Sequence, residues 1–336
     1  MTGNIENGVE ACMWCATSKV CKLESMFSRI TITCFLVCGV AFANGLSFAL
    51  SPSQNALAEQ ITQKTMELDY VEAFNLARKL RLENDGVGCL FQGIIRVSLY
   101  DDKGDTASIK AAAKNLKSCK LEGLWDALRN YEIGYVLLET GHPVKGALQT
   151  RSAAKLFEES SDLEAKAFYA VYAYFIDNSL VWLPFKSDNR DTYLQMLDEA
   201  SLKSKRFWPL FLTPLIWIYF DREDYQKGLE LAELGLKKAP NHPIMFQIKA
   251  DMLYRLKRYD EAAAAYEKSA ADYLARTGKS IRYWCSVLNL IRIYHDAGNE
   301  AKASEQRNKL KDAEYKKLEK WMPSWIMDDL KDRKLI

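Results

Sequence analysis

The chain has 336 residues, enough for two ordinary domains or for one extended array of small units packed neighbour on neighbour. Hydrophobic residues make up 49% and aromatics 12%, and with only 8 prolines and 16 glycines the composition excludes long disordered linkers. The 46 basic and 44 acidic residues are spread along the chain and leave a net charge of +2, which implies no general attraction to nucleic acid or anionic lipid.

Residues 30–43 form an apolar run preceded by Arg29 and followed by small residues at Ala41, Ala43, Ser47 and Ala49. That is the order of a secretory signal peptide, with cleavage expected after Ala43 or Ala49. The run falls short of the about 20 residues of a comfortable transmembrane helix, and an uncleaved anchor is the alternative. The polar leader before it is long for a signal, and Met26 stands directly before the pattern as a second translation start. The domain reading is therefore a leader and signal over residues 1–49, degenerate helical hairpins over 50–205, clear repeats over 206–319 and a capping helix over 320–336. Cys12, Cys15, Cys21, Cys34 and Cys38 fall in or before the signal, and without a nearby histidine or a fourth ligand they predict no zinc site. Cys89 and Cys119 are expected at the open ends of one hairpin, where an oxidising compartment favours a disulfide and a reducing one leaves two buried thiols.

From Leu50 onward the apolar residues recur three and four apart, the period of helices, and no convincing strand appears. The spacing predicts a first helix over 54–82 stopped by Asn84, Asp85 and Gly86, then a hairpin over 87–100 and 105–116 turned at residues 101–104. A second hairpin covers 121–139 and 143–159, turned at residues 140–142, with Pro143 opening its second helix. A helix over 162–176 follows. The spacing breaks at residues 178–189, read as an apolar loop packed on the array or a binding insertion, before a helix over 190–203. Thr213 and Pro214 read as the start of the next helix, whose apolar run bounded by Arg206 and Asp221 marks a core helix. An insertion at residues 275–280 delays a further unit holding Leu290, Ile291, Tyr294, Gly298 and Ala303. A tail over 309–336 carries Trp321, Met322, Trp325 and Ile326, the stripe of a terminal helix covering a core.

The strongest signal is a repeat. Tyr225, Gly228, Ala232 and Gly235 are matched 34 positions later by Tyr259, Ala262, Tyr266 and Ser269, the period of a helix-turn-helix unit. The series Leu212, Leu215, Ile216, Tyr219, Gly228, Ala232, Gly235 and Pro240, and then Phe246, Ala250, Leu253, Ala262, Tyr266 and Ser269, resembles the tetratricopeptide repeat family. Lys249 and the missing final proline depart from its pattern, and the mixture of export signal and degenerate early units is similar to exported bacterial members. The resemblance implies an all-α, right-handed superhelix of antiparallel helical hairpins that holds protein partners along a concave face. Carried across, the concave positions are Tyr131, Tyr135, Trp217, Phe220, Asp251, Tyr254, Arg255, Arg292 and His295, with Thr213, Gln247 and Leu288 between them. Such a groove suits an extended peptide or a partner helix, its rings giving contact area and its arginines taking a carboxylate.

Chemistry is sparse. His142 and His242 precede prolines in turns, and His295 beside Asp296 is the one histidine with a candidate orienting carboxylate. The chain holds no nucleophile elbow, phosphate loop or H-E-x-x-H pair, so the expectation is no enzyme, no cofactor and no metal. The function expected is a protein-interaction scaffold of the bacterial cell envelope or periplasm with a protein or peptide partner and no nucleic acid, touching membrane only through an uncleaved signal. A glycan-binding accessory protein using Trp and Tyr faces is the alternative.

Overall fold

The computed structural model describes residues 46–179, 188–312, 318–319, 322 and 324–336. They form α1 (Pro52–Met66), α2 (Tyr70–Glu83), α3 (Asp85–Lys103), α4 (Thr106–Ser118), α5 (Gly123–Glu139), α6 (Pro143–Glu158), α7 (Leu163–Ser179) and α8 (Arg190–Lys203). They continue as α9 (Trp208–Asp221), α10 (Tyr225–Lys238), α11 (Pro243–Arg255), α12 (Tyr259–Thr277), α13 (Ile281–Asp296), α14 (Glu300–Lys309) and α15 (Ser324–Asp332), with no strand among the described residues. Consecutive helices pair into hairpins, and each hairpin packs on the next. The fold is an all-α superhelical array of the tetratricopeptide kind.

One turn recurs along the array. Leu68, Glu223 and Lys257 hold φ values of 59°, 60° and 58°, each two residues ahead of a tyrosine that opens a helix: Tyr70, Tyr225 and Tyr259. Gly104, Gly141 and Gly298 take the same left-handed position, at 70°, 86° and 72°, two residues ahead of Thr106, Pro143 and Glu300. Glycine is the natural occupant. At the other three positions a side chain accepts the strain, because the turn returns two carbonyls to hydrogen bonding, as where Glu223 N–H donates to Phe220 O and Asp224 N–H to Tyr219 O. Asp69, Asp105, Asp224 and Asn299 then cap the helices that follow, their side chains accepting from backbone amides.

These turns correct three sequence expectations. The helix expected over 54–82 is two, split at Leu68. Asp101 and Asp102 are not a turn but the last helical turn of α3, which Gly104 ends. Helix α9 starts at Trp208 with Pro209 in its first turn, and Pro214 lies inside it, because burial of Phe207, Trp208 and Phe211 sets the start earlier than any capping threonine. The apolar loop expected at 178–189 lies outside the described residues over 180–187, as do Trp321 and the leader. Helix α12 runs on to Thr277, which accounts for the delay before α13.

Close approach of α5 and α6 depends on glycine: a Cβ on Gly134 would sit 2.2 Å from Thr150 Oγ1, and one on Gly146 2.8 Å from Gly134 O. Cys89 on α3 and Cys119 after α4 are joined by a disulfide with their Cα atoms 5.5 Å apart. No helix among the described residues is long and apolar enough to cross a membrane.

Residues 48–102 lie against the later helices, at the leading ends of α7, α9 and α13 and at the trailing end of α12. The Arg206 guanidinium, just before α9, donates to Glu164 on α7 (2.6 Å), to Asn55 on α1 (2.7 Å) and to Phe48 O (2.8 Å), and it lies over the rings of Trp125 and Phe207. Further along, Glu67 O accepts from Arg276, Asp102 accepts from Tyr70 and Tyr273, and Asp101 O accepts from Arg282 Nε at 3.1 Å. Leu68 joins the apolar cluster of Tyr273, Ile281 and Leu288. The array thus closes on itself. Helix α13 is buried along its whole length from Ile281 to Tyr294, with Ile326, Met327 and Leu330 of α15 in the same cluster.

Two stability measurements follow. Arg206→Ala leaves the carboxylate of Glu164 buried without its cation, and a loss of about 3 to 5 kcal/mol in a urea titration is expected. Replacing both Cys89 and Cys119 by alanine opens a loop with a sequence separation of 30, and the chain-entropy relation gives a loss of about 3 to 4 kcal/mol.

Candidate functional site

The residues assigned to a concave face fall into two groups in the structure. Trp217 and Phe220 are 2% and 3% exposed, their rings 5.3 Å apart in the seam between α9 and its neighbours. Asp251 is buried and accepts from Tyr266 on α12 at 2.6 Å. Arg292 is buried too, stacked 4.5 Å over the ring of Tyr254 and donating to Asn289. Gln247 donates to Arg282 O and Ser286 Oγ. These side chains join helix to helix, and the reason is the closure of the array: α13 is enclosed, so polar groups on and beside it must find partners inside the protein.

Tyr131, Tyr135, Tyr254, Arg255 and His295 keep accessible surface. Three of them belong to a late cluster. Tyr254 donates to Asp296 at 2.6 Å, Asp296 also accepts from Arg333, Arg255 lies over the Phe220 ring at 5.1 Å, and His295 meets Glu300, which Arg307 also reaches. His295 therefore pairs with Glu300, not with the neighbouring Asp296. Every acid in this cluster has a cationic or phenolic partner.

Tyr131 and Tyr135 belong to an early cluster, on α5. Tyr135 donates to Asp101 Oδ1 at 2.7 Å. Glu132 and Glu139 share the Tyr135 side of α5, at helical spacings of three and four. Tyr100 donates to Glu139 at 3.1 Å, and Asp102 lies beside Asp101. Tyr131 packs 6.1 Å from Phe157 and 5.8 Å from Phe168. Asp101, Tyr131 and Tyr135 are half-buried, each packed against its neighbours while keeping some accessible area.

Electrostatics separate the two clusters. Burial pushes the Asp101 carboxyl up to about 7 against the opposing effects of Tyr135 and Arg282. Glu132, 7% exposed, is pushed up to about 8 by burial and then by the Asp101 charge; no cation and no hydrogen-bond donor acts on it. Asp102 is raised by burial as well, and Asp251 is raised to about 6. His242 is held down to about 3 by burial. Sequence reading missed Asp101, Asp102, Glu132 and Glu139; the one available signal was the run of two aspartates at 101–102, which reads as a turn. Among the described residues, no three His, Cys, Asp or Glu side chains are grouped to hold a metal ion.

The pH dependence has a definite sign. Asp101 and Glu132 ordinarily titrate near 3.8 and 4.5. In the folded protein they keep their protons to higher pH, so folding holds more protons than unfolding and stability falls as pH rises toward about 8. His242 acts in the opposite sense as its unfolded form titrates around its ordinary value of 6.5. Toward pH 8 that contribution fades, and the raised carboxyls set the sign of the slope. The urea midpoint is expected to drop between pH 6.5 and about 8 by the equivalent of about 1 to 2 kcal/mol, and Glu132→Gln, which removes the charge and keeps the shape, to flatten the drop.

No protein-family model matches the chain, and no curated protein matches it. Among solved structures it is similar to a Rap protein complexed with competence and sporulation factor, at 17% identity and a TM-score of 0.48, covering 85% of this chain and 80% of that one. It is also similar to the C-terminal part of a TPR repeat-containing protein from Cytophaga hutchinsonii, at 16% identity and a TM-score of 0.36, covering 79% of this chain and 99% of that one. Its own hairpins, recurring turns and 34-residue step give the chain a tetratricopeptide-like helical-repeat fold.

Proposed function

We propose that this protein is a non-enzymatic scaffold of the bacterial cell envelope, exported past the inner membrane, which holds a peptide or helix of a protein partner against the inner surface of α5 and α3. The observation that carries the reading is the half-buried group of Asp101, Tyr131 and Tyr135, in which Tyr135 donates to Asp101 and the aromatic and polar side chains keep accessible area. Tyrosines there give a partner large contact area at low conformational cost. Export is supported by the Cys89–Cys119 disulfide, a bond that persists in oxidising compartments, together with the signal-like order of residues 29–49. A glycan reading calls on exposed Trp and Tyr faces, and among the described residues Trp125, Trp208, Trp217 and Trp284 are buried.

Photo-cross-linking in living cells tests the scaffold reading. A probe replacing Tyr131 is expected to give a discrete protein adduct, and a control probe replacing the exposed Leu82 on α2 none. Adducts of equal yield at both sites, or none at Tyr131 in a folded product, overturn it.

A further inference from the structure

Glu132 is the most costly side chain the structure keeps on α5. It is 7% exposed, no group among the described residues donates a hydrogen bond to it, and the like charge of Asp101 acts on it. A buried carboxylate without a cation or donor is destabilising, and elsewhere in this protein the buried Asp251 is matched with Tyr266, and the half-buried Glu164 and Asp296 with Arg206 and with Tyr254 and Arg333. Around Glu132 the Arg282 charge acts on Asp101 and Asp102 and the Lys103 charge on Asp102. Neither acts on Glu132. Tyr135 donates a hydrogen bond to Asp101, and Tyr70 and Tyr273 donate to Asp102.

The surroundings suit a cation. Tyr131 and Tyr135 flank Glu132 on α5, Tyr131 is within electrostatic reach of both Glu132 and Tyr172, and both Tyr131 and Tyr135 retain accessible area. Carboxylates beside tyrosine rings hold an ammonium or guanidinium group through direct charge pairing and through attraction to the ring faces.

We propose that Asp101 and Glu132, framed by Tyr131 and Tyr135, receive one basic side chain, a Lys or Arg, of the partner peptide. The proposal rests on the scaffold reading above and names the chemistry its partner carries. The incoming cation replaces the missing counter-charge of Glu132, and binding of the basic side chain releases a proton from the cluster at neutral pH.

The test uses the full chain and three end-blocked, fluorescently labelled octapeptides, alternating Ala with Lys, with Gln or with Glu, titrated at pH 7.5 by anisotropy. The Lys peptide is expected to bind at least tenfold tighter than the Gln peptide, with the Glu peptide weakest. Glu132→Gln is expected to weaken the Lys peptide by about tenfold and leave the Gln peptide unchanged. Removing an unpartnered buried charge does not lower the urea midpoint at pH 8, so a loss of affinity in that variant is not unfolding. Equal affinities for the Lys and Gln peptides, an unaffected Glu132→Gln variant, or no binding of the Lys peptide overturns the proposal. Equal binding of Lys and Gln peptides with a Tyr131 adduct in cells leaves the scaffold reading standing and removes only the basic-side-chain assignment.

Discussion

The contact on which the structure depends is the return of α12 and α13 onto α3. Tyr273 donates to Asp102 and Arg282 to Asp101 O, across sequence separations of 171 and 181. A repeat array held only by neighbour contacts has open ends and an open inner face, and its stability is close to a sum of unit and interface terms. Here the first hairpins meet the trailing end of α12 and the leading end of α13, so the early and late halves are tied by long-range hydrogen bonds as well as by stacking. The burial of α13 from Ile281 to Tyr294 is the direct result. So is the demand that its polar residues be met from within, which Gln247 meets by donating to Arg282 O and Ser286 Oγ, and Asn289 by donating to Cys285 O.

Much of the architecture was legible in the chain because it is set by local rules. The 34-step repeat, the helical period and the small residues at Gly134, Gly146 and Gly228 are short-range features, and the hairpins follow from them. Turns at Leu68, Glu223 and Lys257 were harder to read. Their left-handed conformation sits on residues that carry side chains, so no glycine announces the break, and at Leu68 two helices read as one. Assignment of a concave face was legible only as far as an open array is assumed. Trp217, Phe220, Asp251 and Arg292 occupy family positions that face a groove when the superhelix stays open, and closure turns those positions into seams. No spacing in the sequence reports a contact made 181 residues away.

Arg206 shows the same dependence on distant partners. As a residue between two helices it reads as a solvated boundary charge, yet its guanidinium is anchored by Glu164, Asn55 and Phe48 O and stacked on Trp125 and Phe207. A planar cation suits that role better than lysine, because it donates in several directions while its faces rest on rings. Its partners come from the leading segment, α1 and α7, so the residue fixes how the first helix lies across the start of α9. Position, more than residue type, makes it structural.

Charge is sorted by the fold in a way that composition conceals. A net charge of +2 over 336 residues suggests a surface with no preference. Within the folded chain the late cluster is neutralised group by group, Asp296 with Arg333 and Tyr254, Glu300 with Arg307 and His295. In the early cluster the Arg282 guanidinium acts on Asp101 and Asp102 and the Lys103 ammonium on Asp102, and Glu132 feels neither. If packing were the only demand on α5, a glutamine or leucine at position 132 would serve it at lower cost, since an apolar group of similar volume avoids the desolvation of a carboxylate. The acid is buried on α5, beside Tyr131 and Tyr135, which remain partly accessible. An excess of negative charge in such a place is relieved either by protons or by a cation from outside, and which of the two occupies the site depends on pH within the range that burial sets for these carboxyls, from about 7 to about 8.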